Sequence, residues 1–349
     1  MTNGRRIIVT GGAGYIGAHV VVALLGAGAS CLVIDDLSNA SPRAVDRARE
    51  IAGGDVSLLR ADLADPADDA RVDAAVADFA PDGAIHLAGL KAVGESVAAP
   101  VRYYRVNLGS ALSLVRALSK TSGRSIVFSS SATVYGDADQ SPVAEDARTA
   151  PANPYGRTKL MIEEMLKDLA RADPAWRICN LRYFNPVGAH PSGRIGEDPR
   201  GTPNNLFPFI AQVAVGLREK LTIFGDDYPT TDGTGVRDYV HVCDLARGNV
   251  DALSYLMSAN PDEARAVDVN IGVGDGVSAL EAVRAFETAS GKSIPYEVAP
   301  RRPGDVATVF ANPRLADALF GWRAEKSLAD MCADHWRWQS ANPRGYDGD

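Results

Sequence analysis

Cysteine is scarce and scattered: Cys31, Cys179, Cys243 and Cys332 lie 148, 64 and 89 positions apart in a chain of 349 residues. Such spacing offers neither a redox pair nor a zinc ribbon, so the four read as isolated buried thiols. The five histidines, His19, His86, His190, His241 and His335, also lack ligand spacing, and no metal is implied. No apolar run approaches the ~18 residues a membrane span requires. The chain passes from Arg5-Arg6 directly into Ile7-Ile8-Val9, without the apolar core of a signal peptide. A soluble, cytoplasmic protein is expected. Positive charge is short as well, 36 Lys and Arg against 44 Asp and Glu, a net −8, which gives no basis for a nucleic acid or an anionic membrane as partner. An anionic ligand would need individually placed basic residues.

With 46% hydrophobic and 23% charged residues, 33 glycines and 20 prolines, the composition excludes disorder, collagen and coiled coil. The length suggests two domains at roughly 150 residues each. Through residue 185, short apolar runs at 7–9, 31–34, 56–59, 84–88, 125–129 and 177–182 alternate with amphipathic stretches. Ile16, Val20, Ala23, Leu24 and Ala27 recur at helical spacing, as do segments 72–79 and 108–118. That alternation predicts a doubly wound (Rossmann) parallel sheet, α/β in class, occupying 1–185. Residues 186–349 predict a smaller C-terminal α/β domain, with about 237–258 returning to the first. It opens with a long loop rich in Pro, Gly and Asn, through 205, of the kind that is usually functional. Helices near 206–215, 278–290 and 328–339 follow, with strands at 221–224 and 267–271, all expected in a cap over the sheet, while a helix near 244–257 falls in the stretch expected to return to the first domain. The Gly-Asp-rich end after Pro343 is expected to fray.

Thr10-Gly11-Gly12-Ala13-Gly14-Tyr15-Ile16-Gly17 joins an apolar strand to an amphipathic helix. Gly11 allows the tight turn, Gly14 lets backbone approach a pyrophosphate, and Gly17 permits close helix–sheet packing, with the helix N-terminus facing the phosphates. The next strand ends in Asp35-Asp36, 18 residues past Gly17, where a carboxylate can accept from ribose hydroxyls. A 2′-phosphate would meet like charge there, so NAD is favoured over NADP. The reading as a solvated turn suits Asp36 better than Asp35.

Asn153-Pro154-Tyr155-Gly156-Arg157-Thr158-Lys159 starts a helix with Asn153 as cap and Pro154 in its first position. Tyr155 and Lys159 are one turn apart, and their stripe continues through Ile162, Leu166 and Leu169 into the core. Arg157, Glu163, Glu164 and Lys167 are expected to point away. An ammonium beside a phenol lowers the phenol's pKa from ~10 toward neutrality and makes it a usable general base. Ser129, Ser130 and Ser131 end the 125–129 strand at the sheet edge, where a hydroxyl can bridge that phenol and a ligand oxygen.

The Gly loop, the serine-rich strand end and the Tyr–Lys helix, in this order, resemble the extended short-chain dehydrogenase/reductase family. Residues 87–96, 181–193 and 233–242 are similar to segments of its UDP-hexose 4-epimerases, and the likeness runs from about residue 5 to 345. The resemblance implies a tightly held NAD lined by Gly11, Gly14, Tyr15, Ile16, Gly17, Asp35, Asp36, Leu37, Ser38, Asn39, Ala40, Asp62 and Leu63. Leu87, Ala88, Gly89, Lys91, Asn107, Ser129, Tyr155, Lys159 and Phe184 complete that lining. It implies a UDP-hexose held by Lys91, Ser131, Tyr155, Phe184, Asn185, Asn205 and Leu206, with Thr222, Ile223, Phe224, Arg237, Arg302, Asp305 and Val309. It also implies a homodimer formed through paired helices.

The implied reaction is reversible inversion at C4 of UDP-glucose and UDP-galactose through a transient 4-keto sugar, with Ser131, Tyr155 and Lys159 catalytic. Arg237 and Arg302, each near an aspartate, suit a diphosphate, or equally a surface salt bridge. Nucleotide-sugar 4,6-dehydratases would carry an acidic pair where this chain has Ala132 and Thr133. A net dehydrogenase would exchange free NADH, and a non-catalytic dinucleotide sensor would not need Ser131, Tyr155 and Lys159 together. The chain departs from its relatives at Asp36, where many have Asn, and at Val106, where some have a second Asn. At Val309 relatives carry either a bulky Tyr or a smaller residue beside the sugar's 2-substituent. A small side chain there leaves room for UDP-N-acetylhexosamines.

Overall fold

The structure is a computed structural model and describes residues 2–138, 140–258, 265–302 and 305–348. The first six strands are β1 (Arg6–Thr10), β2 (Ser30–Asp35), β3 (Val56–Arg60), β4 (Gly83–His86), β5 (Ser125–Ser131) and β6 (Arg177–Tyr183). Between them run α1 (Tyr15–Gly26), α2 (Pro42–Ala52), α3 (Asp69–Phe79), α4 (Val93–Ala98), α5 (Pro100–Leu118) and α6 (Pro154–Ala172). The later elements are β7 (Asn185–Val187), α7 (Leu206–Ala214), β8 (Leu221–Phe224), β9 (Val236–Arg237), β10 (Tyr239–His241) and α8 (Val242–Ser258). They are followed by β11 (Ala266–Ile271), β12 (Val277–Ser278), α9 (Ala279–Ser290), β13 (Tyr296–Ala299), β14 (Thr308–Val309), α10 (Arg314–Phe320) and α11 (Leu328–Ala341).

Seven strands form one parallel sheet in the order β11-β6-β5-β4-β1-β2-β3. Its central strands are buried on both faces, which is why they read as continuous apolar runs. One core, including Val20, Leu24, Leu245 and Leu253, packs α1 and α8 on one face; the other, including Val72, Leu114, Ile162 and Leu166, packs α3, α5 and α6 on the opposite face. Strand order reverses between β1 and β4, opening a crevice at the carboxyl edge where such sheets take ligands. A third core, with Phe207, Ile210, Ile223, Phe286 and Met331, unites α7, β8, α9 and α11 in the cap. Among the described residues, no helix is long and apolar enough to cross a membrane.

Three expectations are corrected. The strand at 267–271, assigned to the cap, pairs with β6 as the edge strand of the main sheet; its apolar alternation cannot say which sheet it joins. The strand expected to reach 88 stops at His86, because the chain turns into Gly89 at φ +153°. The C-terminal segment does not fray: Tyr346 is 4% exposed, its ring 4.8 Å from that of Trp338, and its hydroxyl accepts from Gly196 N at 3.2 Å. One aromatic side chain outweighs the Gly-Asp composition around it. Asp349 lies outside the described residues.

Candidate active site

Gly11 has φ +67°, and a Cβ there would lie 2.8 Å from Ala88 N; at Gly17 it would lie 2.2 Å from the carbonyl oxygen of Gly11. The turn and the start of α1 are thus pressed together and against β4's exit. Gly14 begins α1 without any side-chain cap, leaving the first amides of the helix for a ligand. Asp35 Oδ2 accepts from Ala13 N at 3.0 Å and Oδ1 from Leu37 N at 2.9 Å, fixing the carboxylate beneath the loop, while burial lifts its pKa. Each oxygen keeps a further lone pair for a ribose hydroxyl. Asp36 is exposed and takes both the amide and the hydroxyl of Ser38 at 2.8 Å, a local turn. Arg200 ties the 36–40 loop to the long loop through Ser38 O, Ala40 O and the Asn39 side chain. Arg43, the nearest arginine that a 2′-phosphate might have used, donates to Tyr346 O at 2.6 Å. This Gly loop and carboxylate fit NAD.

Asp62 Oδ1 accepts from Ala64 N at 2.8 Å beside buried Leu63. Leu87 N and Ala88 N both approach Thr10 Oγ1 at 3.3 Å, which sets the wall next to the Gly loop. Asn107 contributes structure there: its amide donates to Leu90 O and to Thr158 Oγ1, and its oxygen accepts from Leu90 N at 2.7 Å. It therefore staples the 88–91 loop to α6.

Asn153 caps α6, its side chain accepting from Gly156 N at 2.9 Å, with Pro154 first in the helix. The cap aims Tyr155 and Lys159 at the end of β5. Ser131 works to lower the Tyr155 phenol's pKa, and Thr133 steadies that serine by donating its hydroxyl to Ser131 Oγ at 2.9 Å. Lys159 Nζ donates to Ser129 O at 2.6 Å and lies 5.8 Å from the Tyr155 ring centroid. Burial pushes its pKa down to about 8, partly countered by Glu163. The expected lowering of the phenol is reversed within the chain itself: burial raises the Tyr155 pKa, and only Ser131 works against it. At this distance the ammonium, bound to a carbonyl, does not offset desolvation.

Glu163 is a second correction. It points inward, fully buried, accepting from Ser130 Oγ at 2.5 Å and from Arg182 Nε and Nη2 at 3.0 and 2.7 Å. Lys167 likewise turns to Asp268 at 2.7 Å, whereas Arg157 is exposed. The helix stripe was read one residue too narrow, and the signal that could have widened it was Arg182, a cation inside an apolar strand that needs a counter-charge.

Across the crevice, buried Phe184 and half-buried Asn185 follow β6, and Asn185 N and Nδ2 donate to Asp238 O at 3.0 and 2.9 Å. Asp238 itself is buried and accepts from Val273, Gly274 and Ala311 amides, clamping β9 and β10 to β14's exit. Val309 is thereby paired in register with Arg237. Arg237 Nη1 donates to Val236 O and Val306 O, and Nη2 lies 3.7 Å from Asp305. Arg302 stacks over Phe224, 3.8 Å from the ring centroid. Thr222 reaches Glu297 at 3.4 Å, and the Ile223 side chain belongs to the cap core, so only its backbone is left for a ligand. Asn205 and Lys91 meet at a residue the sequence reading missed, Glu197, which no motif or periodicity marks.

Residues 7–272 match the NAD dependent epimerase/dehydratase family, and the chain belongs to that family. Among individual relatives, it is 54% identical over 340 residues to the UDP-glucose 4-epimerase of Bacillus subtilis (strain 168), covering 97% of this chain and 98% of that protein. It is similar in structure to the UDP-glucose 4-epimerase of Bifidobacterium longum in complex with NAD+ and UDP. That match has a TM-score of 0.92 and 46% identity over 98% of this chain and all (100%) of that one. The Stenotrophomonas maltophila enzyme of the same name, with bound NAD and formylated UDP-arabinopyranose, also gives a TM-score of 0.92. It is 46% identical, covering 97% of this chain and 99% of that chain.

Proposed function

We propose that this chain interconverts UDP-glucose and UDP-galactose, inverting C4 through a 4-keto sugar with tightly bound NAD, as a cytoplasmic homodimer. The observation that carries the reading is the grouping of Ser131, at the carboxyl end of β5, with Tyr155 and the buried Lys159 ammonium, which is held by Ser129 O at 2.6 Å and lies 5.8 Å from the Tyr155 ring centroid. When bound, NAD supplies a hydride acceptor and donor for C4 and, oxidised, a positive charge near the phenol. Tyr155 takes the proton of the sugar 4-hydroxyl as general base, Ser131 holds O4, and Lys159 favours the phenolate. Asn185, Asn205, Leu206, Arg237, Arg302 and Asp305, with Thr222, Ile223 and Phe224, hold the UDP. Affinity then resides in the nucleotide, so the keto sugar can turn and present its other face.

Ala132 and Thr133 favour this over elimination, since neither supplies a carboxyl acid or base; Thr133 instead bonds Ser131. Val309, beside Arg237 and packed near Phe184, leaves room for a 2-N-acetyl group. In this reading residues 1–185, with 237–258 and β11, bind NAD, and the remainder of 186–349 binds the UDP-sugar. Exposed Val97, Val101, Leu112 and Met161 on α4, α5 and α6 support pairing of helices between two copies, which sedimentation will test.

The purified protein, given UDP-galactose and no added cofactor, should form UDP-glucose without net NADH. Stoichiometric NADH or a 4-keto-6-deoxy product would overturn the epimerase reading.

A further inference from the structure

The loop between β7 and α7 buries a carboxylate. Glu197 is 4% exposed, and an anion so withdrawn from water persists only with partners. Its Oε1 accepts from Lys91 Nζ at 3.0 Å, in the loop after β4, and from Asn205 Nδ2 at 3.2 Å, at the start of α7. Its Oε2 is buried without a hydrogen-bond partner, so Oε1 carries the compensation.

Glu197's backbone is anchored independently of those two partners. Its carbonyl accepts from Trp338 Nε1 at 3.2 Å, Gly196 presses its Cα against the Trp338 ring, and Asp198 Oδ2 accepts from Tyr346 N at 2.9 Å. The Lys91 side chain, by contrast, is 53% exposed. A fixed anion facing a long, half-exposed cation sets the cation's position. One of three ammonium donors and one of two amide donors are used, leaving two on Lys91 and one on Asn205 for ligands.

We infer that Glu197 is a positioning residue that holds Lys91 and Asn205 in one constellation, so that the cofactor side and the sugar-nucleotide side of the crevice are set together. The inference rests on the proposed ligand roles of Lys91 and Asn205. It also accounts for a carboxylate beside two anionic ligands, since pairing with Lys91 removes the repulsion an unpaired anion would exert.

The test is steady-state kinetics and NAD content of Glu197→Ala, Glu197→Gln, Lys91→Ala and the Lys91→Ala/Glu197→Ala double variant. Glu197→Ala should raise KM for UDP-galactose about 10-fold or more while kcat falls much less, because a charge-assisted hydrogen bond is lost in binding. Glu197→Gln, which keeps the acceptor, should fall between it and the parent. The double variant should be less impaired than the sum of the two single effects, since the Lys91–Glu197 interaction is lost in both, and should exceed Lys91→Ala only by the share the Asn205 contact carries. If Lys91→Ala raises KM but neither Glu197 variant does, the positioning role is wrong while Lys91's ligand role stands. If Lys91→Ala changes neither KM nor NAD content, that ligand role fails and the inference with it. Should Glu197→Ala not fold, Glu197→Gln decides. An unchanged KM, or a parallel fall in kcat, NAD content and Tm without a KM effect, overturns the inference.

Discussion

Arg182 and Glu163 face each other through two hydrogen bonds, 3.0 and 2.7 Å long, directly behind the serine-rich end of β5, and both are buried. The same carboxylate takes the Ser130 hydroxyl, and Arg182 also reaches the Tyr135 hydroxyl, Glu145 O and Asp268. Removing one partner strands the other, at a cost of about 3–5 kcal/mol. Glu163→Ala should therefore destabilise by about that much, and Glu164→Ala, an exposed neighbour, by under about 0.5 kcal/mol. Urea midpoints measure both; equal effects would contradict the account.

Tyr155→Phe keeps the ring and deletes the only group proposed to take the proton. Turnover should fall at least about 100-fold while NAD still copurifies with the protein. A variant with near-normal kcat would remove Tyr155 from its role.

Burial pushes His19 and His86 down to about 3 and His335 to about 4. Their pKa values are depressed on folding, so the unfolded chain binds protons that the native chain refuses. The stability these groups contribute is complete above about pH 6.5 and is lost as pH falls toward 3–4, by about 1.4 kcal/mol per pH unit for each histidine. Urea unfolding between pH 7 and 5 should show the loss. Replacing His335 with Gln should flatten the slope, and an unchanged slope would count against the assignment.

Gly17→Ala places a methyl 2.2 Å from Gly11 O and 2.6 Å from Gly12 Cα. The Gly loop must open, so Tm should fall and NAD should be lost on purification. Retention of cofactor at parental stoichiometry would show that the loop tolerates more displacement than its packing implies.

Val309→Tyr should leave conversion of UDP-galactose within a few-fold of the parent and depress that of UDP-N-acetylglucosamine at least about 10-fold, the range one side-chain clash commands. Side-by-side kcat/KM values decide it. No turnover of the N-acetylated sugar by the parent would end the idea.

Local periodicity made the first half of the fold legible. Strands β1, β2 and β5 carry apolar runs buried on both faces, and the Asn153-Pro154 start of α6 is a chemical signal that the structure uses as read. What was not legible depends on partners distant in sequence. The strand at Val267 joins β6 across 88 positions, Glu163 turns inward because Arg182 waits in the next strand, and Tyr346 is held by Gly196 and Trp338. In the site, Tyr155 and Lys159 came from a one-turn helix spacing and the serine cluster from a strand end, while the choice of Ser131 within it came with the family resemblance. Glu197 sits in an irregular loop, where no repeat exists to betray a buried charge.

The glycines around the crevice differ in how reversible their loss would be. At Gly196 the atoms an added methyl would strike first, 2.3 to 2.6 Å away, all belong to the Trp338 ring, so a smaller residue at 338 would relieve that clash and a lineage could cross that step in two moves. At Gly17 the obstruction is the Gly11 carbonyl and the Gly12 Cα, atoms that every amino acid possesses. No second mutation can delete them, which makes Gly17 a position from which descent has no compensated way out.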